Sequence, residues 1–183
     1  MGSDKAFIQL AGETLVERAL RLAREVAPSR VCVVGEARKF EGFAPVIEDA
    51  FPGCGPLGGI HAALAKSRTE LNLMLAVDLP LVSADLLRFI VEQARASRAV
   101  VTVPRSDGRL QPLCAVYRAK FKEIAEQSLK HGKNKIDALF GNCETRVIED
   151  GELSDAGFSP EMFRNVNTPQ DLAELRRMTQ HRN

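Results

Sequence analysis

The sequence predicts an α/β protein: a three-layer sandwich around a Rossmann-like, mostly parallel sheet with an antiparallel strand. Three observations predict it. Apolar runs of strand length alternate with segments of helical periodicity along most of the 183 residues. The run from Leu71 to Val77, Leu-Asn-Leu-Met-Leu-Ala-Val, is nearly unbroken, as in a strand buried on both faces of a parallel sheet. Late in the chain, the apolar segments 99–103 and 110–117 flank Ser106-Asp-Gly108, a turn composition, which predicts an antiparallel pair.

The elements follow in order. Leu15, Ala19, Leu22, Ala23 and Val26 repeat at helical spacing, so Thr14 to about Ala27 is an amphipathic helix with Thr14 as its cap. Val31-Cys-Val-Val34 is a short buried strand, and Pro45-Val-Ile47 is another that ends at Glu48-Asp49. An Ala-rich helical pattern runs to about Lys66, and Ser83 caps a helix whose core face holds Leu86, Leu87, Ile90, Val91 and Ala94. Lys120 to His131 is helical and closes at Gly132. Its basic end, Lys130, His131, Lys133 and Lys135, suits a helix C-terminus complemented by cations, with a phosphate landing site as the alternative. Thr145-Arg-Val-Ile148 is a late edge strand. Thr168 as cap, Pro169 at the first helical position and Asp171 in the first turn announce a terminal helix to about Met178.

Composition bounds the function classes. The hydrophobic content of 45% and charged content of 27% are those of a globular protein, and the length favours one domain. A net charge of +1 gives no global attraction to nucleic acid or acidic membrane, so anion binding must be local. No apolar run approaches the roughly 18 residues of a membrane span. Cys32, Cys54, Cys114 and Cys143 form neither close pairs nor metal-ligand spacing, which predicts buried, reduced thiols in a cytoplasmic protein. His61, His131 and His181 are too scattered for a metal site, and His61 is expected to be a solvated helix residue.

The chemistry concentrates at strand ends. Asp78 follows the Leu71–Val77 run at once, and Pro80 stops further ladder bonding. In open α/β sheets ligands sit beyond the carboxyl ends of strands, although many strands also end in a merely solvated Asp. The stretch Phe51-Pro-Gly-Cys-Gly-Pro-Leu-Gly-Gly-Ile60 carries four glycines and two prolines before a helix. Such a loop lets backbone N–H groups approach an anion. An acidic strand end, a glycine loop, a helix and a second acidic strand end, in that order, form a nucleotide-site pattern.

With these motifs in view, the chain resembles the molybdenum cofactor guanylyltransferases. The resemblance spans nearly the whole chain and rests on Met1-Gly-Ser-Asp-Lys5, Val46-Ile-Glu-Asp49, Gly55-Pro-Leu-Gly-Gly-Ile60, Val77-Asp-Leu-Pro80, Gln111-Pro112 and Asn165-Val-Asn-Thr-Pro169. It implies the nucleotide-diphospho-sugar transferase fold type and transfer of GMP from GTP to the phosphate of molybdopterin or molybdenum-molybdopterin, with release of pyrophosphate. It implies Mg2+ as cofactor and molybdoenzyme maturation proteins as further partners. The family opens with a hydrophobic strand and a glycine-rich phosphate loop that are not matched here. Residues 1–183 are therefore expected to be a single nucleotidyltransferase domain, incomplete at its N-terminus.

The resemblance also implies roles. Lys5 and Asp78 are the catalytic candidates; Lys5, Asp49, Gly59 and Asp78 the nucleotide-binding ones; Gln111, Asn165 and Asn167 the acceptor-binding ones. Asp78, with Asn167 as partner, would hold the metal. Gly35 stands where some members carry an asparagine that contacts the nucleotide. The alternatives are a CTP-dependent or other small-molecule nucleotidyltransferase of the same fold, and a non-catalytic molybdopterin-binding protein.

Overall fold

The structure, a computed structural model, describes residues 5–28, 30–167 and 169–180, without the side chains of 169, 176 and 178–180. A short 3-10 turn at Lys5–Phe7 leads into β1 (Gln9–Leu10) and β2 (Glu13–Thr14), a hairpin turned by Ala11 and Gly12, both with positive φ. Helix α1 (Leu15–Val26) starts where expected, with Thr14 and Glu17 forming a reciprocal capping box. Then come β3 (Val33–Val34), α2 (Ala37–Phe40), β4 (Val46–Ile47), α3 (Pro56–Lys66), β5 (Leu71–Leu75) and α4 (Ala84–Ala96), the last capped by Ser83. The second half holds β6 (Val101–Ser106), β7 (Arg109–Leu110), β8 (Cys114–Arg118), α5 (Phe121–Lys130), α6 (Asp137–Phe140), β9 (Thr145–Ile148), α7 (Asp150–Asp155) and α8 (Pro169–Gln180). The expected Thr168 cap and the Met1-Gly-Ser-Asp4 part of the opening motif lie outside the described residues.

The larger sheet runs β5-β8-β6, with β9 parallel to β6 on its far side and β7 folded back on β6. Because β8 is antiparallel to both β5 and β6, the strands β5, β6 and β9 share one direction, while β8 and the short β7 run the other way. The sheet is therefore mixed, and the expected antiparallel strand β8 lies between β5 and β6. The turn Asp107-Gly108 has positive φ at both residues, the backbone of a two-residue hairpin.

Period-two alternation along β8 splits the core into the two faces of a sandwich. Ala115 and Tyr117 face α3 and α5 with Leu57, Ile60, Leu64, Phe121 and Ala125, all buried. Cys114 and Val116 face the other way, onto Leu86, Leu87 and Ile90 of α4 and Leu22 of α1. The Tyr117 hydroxyl is buried with its ring and donates to Pro112 C=O at 2.8 Å. Each fully buried Leu, Ile or Val contributes about 1.5–3 kcal/mol.

Two expectations are corrected. The Leu71–Val77 run forms a strand only to Leu75, and all five residues are half-buried instead of buried on both faces. Its ladder is to β8, and β3 and β4 pair in parallel with each other as a separate small sheet, so among the described residues the other edge of β5 carries no strand. Of the four free thiols only Cys114 is buried; Cys32 is exposed and Cys54 and Cys143 are half-buried. Burial pushes the Cys114 thiol up to about 12. No helix among the described residues is long and apolar enough to cross a membrane.

Candidate functional site

Four segments meet at the carboxyl end of β5. The chain leaves the strand through Ala76, whose N–H donates to Leu113 C=O at 2.7 Å, and reaches Asp78. This contact sets Gln111-Pro112 beside the strand end. The Asp78 C=O accepts from Val166 N–H at 2.9 Å, which draws the segment Asn165–Asn167 across the same end. Asn167 Oδ1 in turn accepts from Lys5 Nζ at 2.7 Å. Lys5, Asp78, Gln111, Asn165 and Asn167, scattered over the sequence, are thereby brought into one neighbourhood.

A dedicated apolar cluster holds these segments together. Leu10, Leu15, Val166 and Leu175 are buried in it, with Ile8, Leu81 and Leu172 packed against them. It joins the Lys5 segment, the turn after Asp78, the 165–167 strap and α8. Arg18 of α1 adds a polar tie, its Nε donating to Pro80 C=O at 2.6 Å while Nη1 pairs with Glu13. Sequence reading had no signal for Arg18, because its partner is a main-chain oxygen 62 residues away.

The second part of the site lies after β4. Asp49 is half-buried, and its Oδ1 accepts from Phe51 N–H at 2.8 Å, closing an Asx turn into the glycine loop. The carboxylate rests on the first turn of α3, where the helix dipole favours an anion. A Cβ on Gly58 would lie 2.9 Å from Asp49 Oδ1 and closer still to Oδ2, so only glycine lets the carboxylate sit there. Gly55 at the cap has φ +64°, a second position that requires glycine. Gly59, the expected glycine, has more room: an added Cβ would meet only Val34 Cγ1, at 3.5 Å. Gly58 was missed because a sequence does not reveal which of two adjacent glycines faces the acid.

The remaining side chains differ in their settings. Gln111 is half-buried with Nε2 3.4 Å from Arg109 C=O, and Asn165 is exposed at the start of the strap. Gly35 is closed by the Phe40 ring, whose Cε2 lies 2.8 Å from where a Cβ would be. His61 is corrected: it is buried, its ring edge-on to Phe51 with centroids 5.1 Å apart, and its Nδ1 has no partner among the described residues. The basic group 130–135 is exposed and behaves as a helix terminus. Lys130 pairs with Glu126 at 2.6 Å, and the His131 ring meets Gln127 C=O at 2.7 Å.

Cation chemistry is limited to oxygen donors. The Asp78 carboxylate makes no hydrogen bond or ion pair to any described residue, and the Asn167 carboxamide supplies a second oxygen with one lone pair beyond the Lys5 bond. Among the described residues no group of three His, Cys, Asp or Glu side chains is placed to hold a metal ion. Oxygen donors of this kind suit a hard cation that brings most of its ligands as water and substrate phosphate.

An acid beyond a strand end, a lysine bonded to the strap that crosses that end and a glycine loop opening a helix are consistent with a nucleotidyltransferase of the nucleotide-diphospho-sugar transferase fold. Comparison with known proteins narrows the class. The family model for the MobA-like NTP transferase domain matches residues 1–145. A Vibrio cholerae protein named molybdenum cofactor guanylyltransferase is 34% identical over 177 residues, covering 95% of this chain and 83% of the relative. A Carboxydothermus hydrogenoformans protein named "Probable molybdenum cofactor guanylyltransferase" is 32% identical over 175 residues, covering 96% and 88%. The chain belongs to the molybdenum cofactor guanylyltransferase family. Among solved structures, molybdopterin-guanine dinucleotide biosynthesis protein A from Archaeoglobus fulgidus superposes with a TM-score of 0.84 at 24% identity, over 98% of this chain and 92% of that one. The 2-C-methyl-D-erythritol 4-phosphate cytidylyltransferase of Thermus thermophilus superposes at 0.70 with 21% identity, over 96% and 94%. At these identities the two structures speak for the fold.

Proposed function

We propose that this protein transfers GMP from GTP to the terminal phosphate of molybdopterin, in its free or molybdenum-bound form. A phosphate oxygen of the acceptor forms a bond to the α-phosphorus of GTP. The bond from that phosphorus to the bridging β-oxygen breaks, and pyrophosphate leaves with the electron pair. The observation that carries the reading is the convergence of Lys5, Asn167 and Asp78 at one strand end.

Each residue acts by position and charge, as expected where the chemistry is charge redistribution on phosphates. The Lys5 ammonium, held at the strand end by Asn167, neutralises charge on the triphosphate. The free lone pairs of the Asp49 carboxylate would accept guanine N1–H and N2–H2, two adjacent donors that cytosine does not offer, and Gly59 would let the base or ribose approach the backbone. Gln111 and Asn165 border the acceptor side. Asp78 and Asn167 would hold a divalent cation, Mg2+ by the hardness of its two oxygen donors. When bound, the ion neutralises developing charge on the phosphates.

The proposal takes residues 1–183 as one nucleotidyltransferase domain working in the cytoplasm, where GTP is supplied, with molybdoenzyme maturation proteins as recipients of the product. Incubation with GTP, Mg2+ and molybdopterin tests it. One dinucleotide and one pyrophosphate should form per GTP consumed. Binding of molybdopterin with no turnover of any nucleoside triphosphate would make the protein a carrier instead.

A further inference from the structure

We propose that Asp171 is a positioning residue of this site, acting through Asn167 on Lys5; the inference rests on the reading of Lys5 and Asn167 given above. Two polar groups of Asn167 are engaged. Its carboxamide oxygen accepts from Lys5 Nζ at 2.7 Å, and its backbone N–H donates to Asp171 Oδ2 at 2.9 Å. Fixing the N–H fixes the direction of the Cα–Cβ bond, and with it where the carboxamide meets the ammonium.

Asp171 is a firm point from which to do this. It lies in the first turn of α8, and the helix is seated by Leu172 and the fully buried Leu175 in the cluster that also buries Val166. The Arg164 guanidinium lies 4.0 Å from the Asp171 carboxylate and is itself paired with Glu174, so the carboxylate is steadied from the strap side. The strap from Arg164 to Asn167 is therefore tied to Asp78 C=O at one point and to Asp171 at another.

An acid in a first turn also stabilises the start of any helix. That role would be the same whichever N–H the carboxylate accepted. The two roles separate in measurement, because only the positioning role reaches Lys5. The full chain is compared with Asp171→Ala, Asp171→Asn and Asp171→Glu in three readouts. These are the acylation rate of Lys5 followed by mass spectrometry against the exposed Lys66, the melting temperature, and kcat against KM for GTP.

In Asp171→Ala, Lys5 labelling should rise several-fold and kcat should fall about 10- to 100-fold with KM for GTP little changed, the scale of a small misplacement. Asp171→Asn keeps an oxygen acceptor for the Asn167 N–H and should restore both. A lowered melting temperature with wild-type Lys5 labelling and wild-type kcat in Asp171→Ala overturns the proposal and leaves Asp171 a helix-start residue. Should Asp171→Ala not fold, Asp171→Glu decides, since its extra methylene must displace the strap and raise Lys5 labelling. If the wild-type chain makes no dinucleotide from GTP, the functional reading fails, and Lys5 labelling still decides the role of Asp171.

Discussion

Lys5 and Asn167 are 162 residues apart in the chain, yet the ammonium of one donates to the carboxamide oxygen of the other at 2.7 Å. The bond is exposed, so its contribution to folding is small, under about 1 kcal/mol. It sets the Lys5 ammonium on the strap that bonds to the Asp78 C=O.

The pair should therefore couple strongly in turnover and weakly in stability. In a double-mutant cycle with Lys5→Ala and Asn167→Ala, the double variant should be about as slow as the worse single one. Denaturant melts of the same proteins should add within about 0.5 kcal/mol. Independent, multiplying rate losses would show that the two side chains do not act as a unit.

Asp78→Asn should leave the fold intact, because the carboxylate has no partner among the described residues to lose. Turnover should fall about 10²–10³-fold or more, the scale of removing one preorganised electrostatic group. Near-normal Mg2+-dependent activity with an unchanged melting temperature would remove Asp78 from the site.

The two loop glycines should part company on substitution. Gly58→Ala forces the Asp49 carboxylate off the α3 turn and should cost about 1–3 kcal/mol, a fall of several degrees in Tm, together with GTP affinity. Gly59→Ala meets only Val34 at 3.5 Å and should keep or raise Tm, since alanine favours a helix over glycine by about 1 kcal/mol. Equal destabilisation by both would mean that Asp49 is not seated on Gly58.

Acid stability has an assignable contribution from the far edge of the sheet. The Arg146 guanidinium and the Glu149 N–H lower the Glu152 pKa to about 2 from an ordinary 4.5. Because the folded-state value is the lower one, the stabilisation is complete above about pH 4.5 and is lost as pH falls toward 2. Glu152→Gln should flatten the stability curve within that window and leave its shape unchanged above it. Urea melts from pH 7 down to pH 2.5 check this, and parallel curves for the two proteins would contradict it.

Much of this site was legible in the sequence because its parts are local patterns. Asp78 follows an apolar run, the glycine loop precedes a helical repeat, and Asn165-Val-Asn-Thr-Pro169 announces α8 by its proline. Thr14 and Ser83 were readable as caps because capping is a contact of three residues. Arg18, Gly58 and Asp171 were not assigned to the site, because their partners are main-chain atoms or side chains fixed only by tertiary packing. His61 was misread for a related reason. Its helix α3 packs on α5 and its ring on Phe51, so a polar residue is buried by partners that the local sequence does not show. The composition of the β5 run predicts burial on both faces, whereas burial also depends on which strand lies alongside it.

The central claim is guanylyl transfer, and the most direct measurement is kcat/KM for GTP and for CTP with molybdopterin as the acceptor, followed by the appearance of the dinucleotide. The account predicts preference for GTP by one to two orders of magnitude, about 1.4 kcal/mol for each tenfold, and loss of that preference in Asp49→Asn, whose carboxamide cannot accept both guanine donors. Equal use of the two nucleotides, or preference for CTP, would contradict it and take the nucleotide-selecting role away from Asp49.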